Sequence, residues 1–87
     1  MTTTETAYQK QQRKDKEAMQ IVSDILDRNQ IVGKTELHKL VAFQKQQVRA
    51  VGIWLKKNEM RRACENAYNA REAGKAIAKA ISILSAN

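Results

Sequence analysis

Proline is absent from the 87 residues, cysteine and histidine occur once each, and aromatic side chains make up 5%. Without proline no helix is broken by a missing amide donor, and the scarcity of aromatics removes a common filler of β-sheets. A single cysteine, Cys64, excludes an internal disulfide, and with His38 as its only companion no Cys/His zinc quartet can be assembled. The longest apolar run, Ala50 to Leu55, contains Gly52 and falls far short of the roughly 20 residues that span a bilayer. Residues Met1 to Glu5 are threonine-rich and show no cationic start followed by an apolar core, so no secretory signal is expected. These absences predict a soluble, cytoplasmic protein, with neither a membrane nor a cofactor among its partners.

What is present is charge and helical periodicity. A chain this short buries only about two thirds of its unfolded surface, which allows one core and one domain. Sixteen basic residues against nine acidic ones give a net charge of +7, which makes an anionic partner the expected one. The excess is local. Residues 1 to 33 are neutral, with five charges of each sign, and residues 63 to 87 carry +1. Between them Lys34, Lys39, Lys45, Arg49, Lys56, Lys57, Arg61 and Arg62 face only Glu36 and Glu59, a net +6.

Residues 1 to 13 hold few apolar groups and read as a flexible arm, with order expected from Lys14 and a single helical domain over 14 to 87. Ala18, Met19, Val22, Ile25 and Leu26 fall on one face of a helix. That helix is expected to end between Asn29 and Gly33, with Thr35 capping the next one and Glu36 in its first turn. From Met60 to Ser85 a heptad seam runs through Ala63, Ala67, Ala70, Gly74, Ile77, Ile81 and Leu84, with Ala73, Ala76, Ala80 and Ile83 beside it. The seam suits packing inside the chain, and equally a homodimer with Ala70, Gly74, Ile77, Ile81 and Leu84 at its interface. No strand alternation, internal repeat or extended low-complexity segment is found.

Leu37, Val41, Phe43, Val48 and Val51 occupy the five packing positions of a twenty-residue pattern, Lys34 to Ile53, that resembles the helix-turn-helix of small bacterial and phage DNA-binding regulators. The resemblance implies an all-α domain in which a helix over Glu36 to Val41, a turn, and a recognition helix from Lys45 to about Lys57 bind double-stranded DNA. It implies base contacts from Gln44, Lys45, Gln46, Arg49 and Ala50, since Gln suits adenine and Arg suits guanine in the major groove. Lys34, Thr35, Lys56, Lys57, Arg61 and Arg62 would then contact phosphate. The turn position that is glycine in that family is Ala42, at a cost of about 1 kcal/mol if a left-handed backbone is kept there.

One helix over residues 35 to 57 is the alternative, giving an uninterrupted three-helix bundle. At about 100° per residue its apolar groups share an arc of about 160°, with Lys45, Arg49 and Lys56 opposite. It buries Gln44 and Gln47 among apolar neighbours, which is its physical fault. The matching function is a helical interaction module, such as a phage-encoded inhibitor, docking its basic face on an acidic protein.

Catalysis is not expected. Gly33, Lys34 and Thr35 match the end of a nucleotide-binding P-loop, but Arg28 stands where its first glycine belongs and no strand precedes it. His38 and Cys64 lack a third partner and read as a partly packed imidazole and a small buried thiol. Trp54 reads as core rather than as a stacking platform.

Overall fold

In the computed structural model, which describes residues 5–30 and 33–86, three helices follow one another: α1 (Ala7–Arg28), α2 (Lys34–Lys56) and α3 (Met60–Ser85). The all-α class holds, with no strand among the described residues. Of the two arrangements open to the sequence, the uninterrupted bundle is adopted: α2 passes through Ala42 to Lys45 without a turn. Expectations for residues 1 to 4, for Ile31 and Val32 and for Asn87 lie outside the described residues.

Helix α1 starts at Ala7, seven residues before the expected onset of order. The cause is a capping box. The Thr6 hydroxyl accepts from the Gln9 amide at 3.1 Å, and the Gln9 side chain accepts from the Thr6 amide at 3.1 Å. Glu5 turns back onto Arg13 at 3.1 Å, which also faces Glu17 at 3.7 Å, and Gln11 donates to Asp15 at 2.9 Å. Each such pair contributes a few tenths of a kcal/mol to a helix that has no apolar face there. The other end closes on Asn29, whose φ of 54° asparagine tolerates, while the Gln30 amide donates to the Asp24 carbonyl at 3.1 Å.

Helix α2 is capped two residues earlier than the sequence suggests. Glu36 reaches back to accept from the Gly33 amide at 3.1 Å, so Gly33 is the cap and Thr35 lies inside the first turn. Asn58, at φ 59°, makes the corner to α3, with its amide on the Leu55 carbonyl at 3.0 Å and that of Glu59 on Trp54 at 2.8 Å.

The core sits where the second half of α1 crosses the α2/α3 hairpin. Ala18, Val22 and Ile25 meet Leu40 and Phe43 and the alanines Ala73, Ala76 and Ala80, with Met19, Leu26, Leu37 and Ile77 around them. Small residues on α3 bring the helices close together but bury little area each. The first half of α1 has nothing apolar to bury and stands off from α2. Between them lies a groove of about 580 Å³, bridged where Gln11 donates to Gln46 at 2.7 Å. The radius of gyration, 14.5 Å, exceeds the about 12 Å of a compact chain this long, and the molecule is a flat 44 × 41 × 18 Å.

Candidate nucleic-acid interface

The continuity of α2 decides where its polar residues go. Gln47, only 4% exposed, accepts from Asn66 at 2.6 Å and from Asn69 at 3.4 Å, both on α3. Gln44 donates to the Ala70 carbonyl at 3.3 Å. The expected fault of a straight helix, two glutamines without partners, is thus answered by hydrogen bonds from the neighbouring helix. No left-handed residue is then needed at Ala42, an exposed alanine well suited to a helix interior.

The base-reading set implied by the resemblance is dispersed by the same geometry. Gln44 is turned towards α3, Gln46 is held by Gln11 of α1, and Ala50 is half-buried. Lys45 and Arg49 remain exposed, and Lys56 follows about two turns after Arg49 along the same outer strip of α2. Lys45 and Lys56 are about 16 Å apart along the axis. His38 extends the strip and is exposed rather than packed. Lys34 and Thr35 lie at the far end of α2. There Glu36 accepts from the Gly33 amide, which sets the chain's own carboxylate at the helix start where Thr35 was expected to help seat a phosphate.

The α2/α3 corner gathers Lys57, Arg61 and Arg62. The Arg62 guanidinium carbon lies 4.7 Å from the centre of the Trp54 ring, and the Lys57 ammonium lies 5.4 Å from it. Trp54 is therefore half-buried beneath two cations instead of lying in the core, a role that its position three to eight residues from a basic cluster could have signalled. Among the described residues, ion pairs occur at Arg13 and Lys75, and none of the eight cations between Lys34 and Arg62 takes part in one. The field of the hairpin is consequently positive and uncompensated over its outer strip and tip.

No family model, curated protein or solved structure matches the chain.

The seam of α3 divides between two uses. Ala63 and Ala70 are buried and Ile77 and Leu84 half-buried, whereas Ala67 is exposed and Ile81 is 49% exposed. Gly74 lies against α2 so closely that a Cβ there would come 2.8 Å from Gln44 Nε2. Ala70, Gly74 and Ile77, expected at a dimer interface, thus contact helices of their own chain. Cys64 is exposed rather than buried. Among the described residues no group of His, Cys, Asp and Glu could hold a metal ion, and no helix is long and apolar enough to cross a membrane.

Proposed function

We propose that the protein binds double-stranded DNA through the phosphate backbone, using the outer strip of α2 and the α2/α3 corner. The observation that carries this reading is the set of cations Lys45, Arg49, Lys56, Arg61 and Arg62, all exposed and none engaged in an ion pair among the described residues. Neutralising phosphates with such groups releases condensed counterions, which drives association without base contacts. Lys57 and Arg62 add stiffness by stacking on Trp54. With Gln44 and Gln46 bonded inside the fold, recognition is tolerant of sequence. The regulatory role that the resemblance to phage and mobile-element regulators implies then rests on occupancy of DNA rather than on a base-reading helix.

Fluorescence anisotropy with a labelled duplex of random sequence tests the proposal. Five phosphate contacts give a slope of about −4.5 for log K against log salt concentration. Binding that does not weaken with salt, or no binding at low salt, would overturn it.

A further inference from the structure

The α2/α3 hairpin has two broad sides, and α1 covers one of them. On α2 the residues bordering α1 are Lys39, Phe43 and Gln46, and on α3 they are Ala76, Lys79 and Ala80. At about 100° per residue, Val41, Val48 and Leu55 follow one another on the flank of α2 turned away from α1. Ala67, Gly74 and Ile81, one from each heptad of the α3 seam, do the same on α3. Because the helices run antiparallel, the two strips border one open furrow. Its walls are exposed although aliphatic: Val48 is 57% accessible, Leu55 49% and Ile81 49%. From Val41 to Leu55 the strip on α2 is about 21 Å long.

Charge lies along its edges and has one sign. Lys45 and Lys56 flank the strip on α2, and Arg71 flanks it on α3, all exposed. Of the acidic residues at its ends, Glu36 accepts from the Gly33 amide, and Glu59 stands exposed at the corner beside Leu55. A second copy of this chain seated on the furrow would bring the same cations to the same edges. Nucleic acid would satisfy the edges but leave valine, leucine and isoleucine facing phosphate and water. A helix with an aliphatic stripe and glutamate or aspartate on both sides of it satisfies the floor and the edges together.

We propose that this furrow docks an acidic amphipathic helix of a partner protein, about 14 residues long, laid along the α2/α3 hairpin opposite α1. The partner supplies apolar residues at spacings of three and four to cover Val48, Leu55 and Ile81, and carboxylates that reach Lys45, Lys56 and Arg71. The site shares Lys45 and Lys56 with the DNA-binding surface proposed above and leaves out its Arg49, Arg61 and Arg62.

The probe is a fluorescein-labelled synthetic peptide of three heptads with one leucine stripe flanked by glutamates, and a control with lysine at every glutamate position. Titrated with the full chain, the glutamate peptide is expected to bind saturably and at least about tenfold more tightly than the lysine peptide. Val48→Ser combined with Ile81→Ser is expected to weaken it by about tenfold or more. Both positions are exposed, so an unchanged melting curve would show the fold retained. Arg49→Ala with Arg62→Ala should leave peptide binding within about twofold while weakening duplex DNA binding, so the two proposals fail separately. Equal affinity for the two peptides would overturn the inference. So would a self-associated chain, seen by sedimentation equilibrium, whose dimer is broken by Val48→Ser with Ile81→Ser.

Discussion

Asn66 donates to the side-chain oxygen of Gln47 across the α2/α3 contact at 2.6 Å, and this bond lets α2 run straight through a segment that resembles a turn. Gln47 is buried, so its amide has little access to water as an alternative partner. With Asn69 3.4 Å from the same oxygen, the two helices are fixed in register by polar contacts at a point where the rest of the interface is mostly alanine. Asn66→Leu should therefore destabilise the fold by about 1 to 3 kcal/mol, the cost of a buried acceptor left poorly satisfied. Adding Gln47→Leu should recover most of the loss. Urea unfolding of the two variants checks this, and a double variant less stable than the single one would contradict it.

Ala42 and Gly52 test the continuity of α2 from the side of intrinsic propensity. In a continuous helix Ala42→Gly should cost about 1 kcal/mol, whereas a left-handed turn residue at that position would make glycine stabilising. Gly52→Ala should stabilise by about 1 kcal/mol, because a Cβ there meets nothing within 4 Å. Thermal unfolding reads both signs.

Much of this architecture is legible in the sequence because it is local. The face Ala18, Val22 and Ile25 and the extent Met60 to Ser85 follow from spacing alone, and both match the fold. The start of α1 was also legible in principle, since Thr6 and Gln9 stand at capping-box spacing. Apolar content masks that signal, because a capped helix needs no apolar face in its first turn. The route of α2 was not legible. It depends on Gln47 meeting Asn66, nineteen positions away, and on Gln44 meeting Ala70, twenty-six away. A burial argument made on one helix sees only two polar groups at fault. Likewise the heptad seam of α3 identifies an apolar stripe, but spacing does not say that Ala70 meets α2 while Ile81 remains open.

The first turn of α1 should melt separately from the rest. Thr6→Ala removes the acceptor for the Gln9 amide and should cost about 1 kcal/mol locally. Amide exchange is then expected to quicken over Tyr8 to Gln12 and to stay unchanged at Val22 to Leu26, which are held by the core. Uniform quickening over all of α1 would contradict the separation.

Acid should loosen the same end. The hydrogen bond from Arg13 holds the Glu5 carboxyl below its ordinary value; desolvation opposes it, and the Arg13 and Lys10 charges add lesser effects in the lowering direction. Because the folded-state value is the lower one, the stabilisation is fully present above the ordinary glutamate range and is lost as pH falls through the lowered value. Solvent exposure keeps the effect small. NMR titration of the Glu5 carboxyl, with and without Arg13→Ala, reads it: the substitution should raise the midpoint, and no change would contradict the pairing.

The most direct measurement is the salt dependence of duplex binding for the wild type beside Arg49→Ala with Lys56→Ala, on two duplexes of unrelated sequence. Loss of two phosphate contacts should make the slope of log K against log salt concentration about 2 less steep, and by the same amount on both duplexes. A slope that the two substitutions leave unchanged, or a loss confined to one duplex, would contradict binding through an unpaired cationic strip on an unbroken α2.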